Sequence, residues 1–129
     1  MSKPVLFALL NAWWLTFTPI SHASPIHGLL DAYRNQGAEA FSAKRGEQLW
    51  LTQRDGRRCG SCHTDDPKAP GKHQKTGKAI KPLAPSVNAE RLTSEKTIKK
   101  WLKRNCKWTL RRECTAQEKG DFLTWLLSR

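Results

Sequence analysis

The first strong pattern in the chain is an uncharged apolar run, Val5 to Ile20, VLFALLNAWWLTFTPI. Lys3 precedes it, and Ser21 and Ala23 follow it at the two small-residue positions read by a signal peptidase. Polar Asn11, Thr16 and Thr18 interrupt the run, and it falls short of the ~20 apolar residues of a full membrane span. The pattern predicts a cleaved secretory signal over residues 1–23, with cleavage after Ala23. Residues 24–37 then hold a short amphipathic helix, Ile26 to Gln36, which stops at Gly37. We place that helix as an N-terminal extension and the main domain at 38–129. From Ala38 to Gln53 a second helix carries Phe41, Leu49 and Trp50 roughly on one face. Gly46 lies in its middle, where glycine costs about 1 kcal/mol relative to alanine. It is tolerated where another helix must approach closely. Asp55-Gly56 is a turn.

Residues 64–89 break the periodicity. Four prolines and two glycines run through TDDPKAPGKHQKTGKAIKPLAPSVNA. A loop this long inside a compact domain wraps something functional. Helical spacing resumes afterwards. Thr93 or Ser94 caps a third helix, and Glu95 in its first turn suits the helix dipole. Ile98, Trp101, Leu102 and Asn105 recur at i, i+3, i+4 and i+7, which places Asn105 on the inward stripe. Thr115 and Glu118 form a capping box for a last helix, with Phe122, Trp125 and Leu126 as its buried stripe. No segment alternates as a strand does. The expectation is an all-α domain of three to five helices around a loop-wrapped centre.

At 129 residues the chain makes one modest domain. Its 38% hydrophobic content allows a core, but a small one that benefits from a staple or a cofactor. Export decides how the four cysteines, all beyond residue 23, are used. Outside the cytosol thiols pair, hold metal or carry a covalent group.

Two of them sit in RRCGSCHTDD, residues 57–66. Cys-x-x-Cys-His is the attachment signature of haem c. Cys59 and Cys62 add across the two vinyl groups as thioethers, and His63 supplies the axial imidazole. A loop proline carbonyl, Pro67 or Pro70, is expected to orient that imidazole. A dithiol redox site needs a βαβ context that is not visible here. A zinc site needs further ligands, and Cys106 and Cys114 stand eight apart.

Methionine is the common far-side ligand, but Met1 is the only one and leaves with the signal. His27 and His73 lie on the terminal segment and the loop. Asn105 remains. Periodicity alone leaves it equally a buried iron ligand or a helix C-cap.

The segments RNCKWTLRREC (104–114), TGKAIKPLAPS (76–86), CGSCH (59–63) and ECTAQEKGDFLTWL (113–126) carry more information together. In this order they resemble the sphaeroides haem protein family, small high-spin monohaem cytochromes c. The resemblance covers about residues 38–129. It implies a class I cytochrome c-like fold, one covalent haem c, an asparagine axial ligand at Asn105 and a disulfide between Cys106 and Cys114. Export agrees with pairing the two remaining cysteines. The family further implies that the asparagine leaves on reduction, opening the iron to oxygen, nitric oxide or carbon monoxide. It also implies dihaem cytochrome c and membrane cytochrome b as electron donors, in the periplasm.

The net charge of +12 and pI near 10.0 exceed what solubility needs. Loss of Lys3 leaves +11. A basic rim steers an acidic protein partner, and export argues against nucleic acid as that partner. Electron transfer with ligand binding is the leading reading. A haem enzyme reducing oxygen or nitrogen oxides is a second, although Arg104 and His73 are the only suggestive acid–base neighbours. A gas or redox sensor is a third, with no output domain to serve it.

Overall fold

The computed structural model describes residues 24–129, so the predicted signal segment lies outside the described residues. Helix α1 spans Pro25–Asn35, α2 Ala43–Leu51, α3 Gly60–His63, α4 Glu95–Leu110 and α5 Ala116–Leu127, with strands β1 Gly71–Lys72 and β2 Ala79–Ile80 between α3 and α4. Among the described residues no helix is long and apolar enough to cross a membrane.

Local chemistry sets these boundaries. Pro25 opens α1, where its missing N–H costs nothing. Gly37, at φ +90°, takes the chain out of it. The second helix starts five residues later than its spacing predicts. Ser42 is extended and its hydroxyl accepts the Arg45 N–H, so Ser42 is the N-cap. Ser94, not Thr93, caps α4 by accepting the Thr97 N–H. The capping box at α5 is complete. Glu118 N–H donates to Thr115 Oγ1 at 3.1 Å, and Thr115 N–H donates to Glu118 Oε2 at 2.8 Å. Asp55 and Gly56, both at positive φ, make the expected turn, closed by Arg54 and Arg57 exchanging backbone hydrogen bonds.

The expectation of no strands is corrected. Gly71 pairs with Ile80 and Lys72 with Ala79 in an antiparallel hairpin. Two residues per strand are too few for alternation to register in the sequence. The bonds that define the hairpin lie in its turn. His73 N–H donates to Lys78 O at 2.8 Å, and Gly77 reverses the chain at φ +68°. The rest of the loop folds back on Pro67, which is buried, and whose carbonyl accepts from both Leu83 and Ala84 N–H.

One core cluster joins α1 (Ile26, Leu29, Leu30, Tyr33) to α4 (Ile98, Leu102) and α5 (Leu123). The helix at 25–35 therefore shares the core of the rest of the domain. A second cluster brings Trp50 of α2 against Trp125 and Leu126 of α5. The α2–α5 crossing is backbone to backbone. A Cβ on Gly46 would sit 2.2 Å from Asp121 O and 2.7 Å from Trp125 Cβ. This explains glycine inside α2, as the sequence requires of a close helix contact.

Asp121, only 2% exposed, locks the crossing. Its carboxylate accepts from Ser42 N–H at 2.7 Å, Arg45 Nε at 2.7 Å, Arg45 Nη2 at 2.9 Å and Gln117 Nε2 at 3.0 Å. Burial alone would raise this carboxyl, but the bonds from Arg45, Ser42 and Gln117 outweigh it and hold it below the usual carboxylate range.

The crossing yields a paired prediction. Gly46→Ala gains helix propensity but has nowhere to put its methyl group, so it should destabilise the protein by roughly 2–3 kcal/mol. Gly28→Ala, on α1 with no atom within 4 Å of the new Cβ, should be neutral or stabilising by up to about 1 kcal/mol. Chemical denaturation of the two variants checks both; equal midpoints would contradict the close crossing.

Candidate functional site

Helix α3 is a single turn that holds Cys62 and His63, with Cys59 as its N-cap. Cys62 N–H and His63 N–H both donate to Cys59 O, at 3.3 and 3.2 Å. One helical turn thus sets the two sulfurs at i and i+3 on one side. Thr64, at φ +64°, ends the turn at once. Gly71 of β1 passes directly behind it. A Cβ there would lie 2.1 Å from Cys62 O and 2.9 Å from His63 Cα. The hairpin is therefore the backing of the Cys-x-x-Cys-His turn. Gln74 N–H donates to Cys62 Sγ at 3.3 Å.

The His63 ring packs on Trp50, centroids 5.8 Å apart, and Trp50 packs on Trp125 at 5.1 Å and Phe122 at 6.0 Å. Burial, with the Arg91 guanidinium and the His73 imidazole nearby, pushes His63 down to about 4. At neutral pH the ring is uncharged, which is the form that ligates metal. Burial also pushes the Cys59 thiol up to about 11, although a hydrogen bond with Thr109 of α4 acts the other way. Cys59 and Cys62 are both free thiols, while the other two cysteines are paired.

Of the two prolines expected to orient the His63 ring, Pro67 is already engaged. Both Leu83 and Ala84 amides already occupy the Pro67 carbonyl, and a carbonyl has two lone pairs. Arg91 and Asn88 fix the neighbouring Pro82 carbonyl instead, at 2.8 and 2.9 Å.

The segment leading to Cys59 is tied to the end of α4. Arg54 Nη1 donates to Leu110 O at 3.3 Å, and the Arg57 guanidinium lies 5.1 Å over the Trp108 ring. Both contacts tie the approach to Cys59 to the last turns of α4. Here the predicted inward stripe is corrected. Ile98, Leu102, Cys106 and Leu110 face the core, and Trp101, at 47% exposure, and Asn105 do not. The i, i+4 set carrying Cys106 buries against α1, α2 and α5, and it wins the core face from the set carrying Trp101.

The C-cap alternative for Asn105 is excluded as well. The helix runs on to Leu110, and Arg111, in the left-handed conformation at φ +61°, is the cap. Asn105 stands on the flank of α4 between Trp101 and Trp108. It lies one turn before the buried Thr109 and is itself exposed.

Cys106 and Cys114 form the expected disulfide, with Cα atoms 5.6 Å apart, and both are buried. The bond joins the residue after Asn105 to the segment entering α5. His73 is exposed, with Nδ1 accepting the Thr76 N–H at 3.2 Å, and His27 is exposed on α1. Among the described residues no three His, Cys, Asp or Glu side chains gather to hold a metal ion, which removes the zinc reading.

The donor set fits a covalent haem c. It comprises two thiols one turn apart, with Cys59 partly buried where a neutral thioether carries no charge to desolvate, and an adjacent uncharged imidazole packed on Trp50. Thr109 and Arg91 were not singled out in the sequence, and Trp50 was read only as part of a helix face. A buried aromatic eight or nine residues before Cys59 was visible only as core, and nothing local marks the other two.

Residues 36–126 match a family model described as a domain of unknown function, DUF1924. The chain is 37% identical over 106 residues to cytochrome c-type protein SHP of Cereibacter sphaeroides, covering 78% of this chain and 81% of that one. The structure of oxidised SHP, described as an oxygen-binding cytochrome c, superposes with a TM-score of 0.74 at 37% identity over 82% of this chain and 97% of that chain. The chain belongs to the SHP family of monohaem cytochromes c. A solution structure of cytochrome c'' from Methylophilus methylotrophus, concerned with the structural basis of haem-ligand detachment, matches with a TM-score of 0.67 at 32% identity over 80% of this chain and 92% of that chain. The fold is that of these cytochromes, and haem c is the cofactor of this SHP-family chain.

Proposed function

We propose that this SHP-family chain is an exported, periplasmic electron-transfer cytochrome with a far-side haem ligand that leaves on reduction. Cys59 and Cys62 hold the haem and His63 is its permanent axial ligand. Asn105 closes the opposite side in the ferric state. Bound haem supplies a one-electron couple and, where an axial position is open, a place for a diatomic ligand such as oxygen or nitric oxide. A carboxamide is a hard, weak donor that suits ferric better than ferrous iron. Asn105 therefore detaches when the electron arrives.

The observation that carries this reading is the placement of Asn105. It is not buried in the core and caps no helix. It is exposed on α4, one turn before the buried Thr109, and its tether is the helix. The residue beside it is pinned by the Cys106–Cys114 disulfide. The helix end is thus fixed while the short side chain stays free to swing. Among relatives, SHP is described as oxygen-binding and cytochrome c'' as a case of haem-ligand detachment. Both descriptions agree with a ligand that comes and goes.

Charge points to the partner. Lys96, Lys100, Lys103 and Arg104 are exposed on α4 with no carboxylate partner among the described residues, whereas Lys99 and Lys107 pair with Glu95 and Glu113. Arg104 and Lys100 also lie over the exposed Trp101 ring, at 5.2 and 5.8 Å. A cationic rim around an exposed indole, on the helix that carries Asn105, suits an acidic electron-transfer partner. A dihaem cytochrome c and a membrane cytochrome b are the proposed donors.

Asn105→Ala should retain covalent haem but change the ferric absorption and EPR spectra, and the ferrous protein should bind carbon monoxide with and without the substitution. A ferric spectrum identical to the parent's would sink the ligand assignment. For docking, the electron-transfer rate with an acidic dihaem donor should fall several-fold from about 10 to 200 mM salt. A rate indifferent to salt would remove the charged rim from the account.

A further inference from the structure

Arg91 is a cation near the Cys-x-x-Cys-His turn whose role the preceding account leaves open. Leu92, next in the chain, and Leu83, beside Pro82, both pack against the Trp50–Trp125–Leu126 cluster that Cys59 also borders, which places Arg91 beside the turn. It is partly buried, and burial lowers its own guanidinium from the usual range. Its position is fixed: Nε donates to Pro82 O at 2.8 Å and Nη2 donates to Lys81 O at 2.7 Å. Asn88 braces the same Pro82 carbonyl through Nδ2 at 2.9 Å, and Arg91 N–H closes the turn onto Asn88 O at 3.0 Å.

The two carbonyls satisfy hydrogen bonds but supply no charge. Among the described residues Arg91 forms no ion pair, and the adjacent Glu90 pairs with Lys81. A half-buried cation with no anion costs free energy that a neutral donor in its place would not. A loop that needed only a latch could use a neutral amide, as Asn88 does on the same carbonyl.

We propose that Arg91 is a positioning residue for the haem, its guanidinium pairing with a propionate carboxylate of the group that Cys59, Cys62 and His63 hold. Haem carries two such carboxylates, and a planar guanidinium pinned through Nε and Nη2 still presents its Nη1 edge. The pairing neutralises a charge that would otherwise oppose the added electron. It also keeps a fixed cation near His63. Both effects favour the ferrous state. The inference rests on haem attachment alone and holds whether or not Asn105 is the far-side ligand.

The test compares holoprotein with Arg91→Leu and Arg91→Lys. At a fixed ambient potential, Arg91→Leu should shift the ferrous-to-ferric ratio about tenfold toward ferric, which for a one-electron couple is about 59 mV. Arg91→Lys keeps the charge but not the fork. It should hold the ratio within about threefold of the parent while shifting the propionate bending band in resonance Raman spectra. The ferric axial-ligand spectrum and carbon monoxide binding should stay as in the parent, which separates this inference from the Asn105 assignment. A merely structural latch would lower the unfolding midpoint and leave ratio and Raman band unmoved, and that result overturns the proposal. If Arg91→Leu yields no holoprotein, Arg91→Lys decides alone, and an unchanged propionate band in it counts against the pairing.

Discussion

The contact on which the rest depends is the crossing of α2 and α5, where Gly46 lies against the Asp121 carbonyl and the Asp121 carboxylate is held by Arg45, Ser42 and Gln117. Only glycine lets the two backbones come this close. Once they do, Trp50 from one helix and Trp125 from the other meet face to tilted face and make the wall behind His63. Neither indole nitrogen finds a hydrogen-bond partner among the described residues. The wall supports the imidazole through ring packing, Trp50 lying 5.8 Å from His63 and 5.1 Å from Trp125 between ring centroids. The carboxylate clasp is oriented by charge and hydrogen bonds, so the crossing has a unique register as well as a favourable area.

A second constraint comes from the loop. Residues 64–89 carry little regular structure, yet they are closely determined. The hairpin backs the Cys59–His63 turn through Gly71, the chain then folds onto the Pro67 carbonyl, and the next turn pins Arg91 through the Pro82 carbonyl. Proline and glycine here shape a wrapping that a small core of helices does not provide. With α4 tied to the Cys59 approach through Arg54 and Arg57, the protein surrounds its cofactor site from three directions.

Much of this was legible in the residues. The capping box at Thr115, the turn at Asp55-Gly56 and the helix stops at Gly37 rest on local chemistry, and local chemistry is what a sequence displays. The Cys-x-x-Cys-His signature is likewise contiguous. The failures have a common cause. On α4, Trp101 and Cys106 belong to two apolar stripes, and only the tertiary packing decides which faces the core. The start of α2 turned on Ser42, whose backbone is held extended by Asp121, a residue 79 positions away. The hairpin strands are too short to show a period. Thr109 and Arg91 matter through partners distant in sequence, which no local pattern reveals.

The central claim is that a carboxamide on α4 and the imidazole of His63 face the same iron, and that only the imidazole stays after reduction. The direct measurement is a pair of crystal structures of the holoprotein, ferric and dithionite-reduced. The account predicts Asn105 bonded to iron opposite His63 in the first and withdrawn from it in the second, with the Cys106–Cys114 bond intact in the ferric form. A ferric iron closed by His73 or another side chain, or Asn105 bound alike in both states, would contradict it.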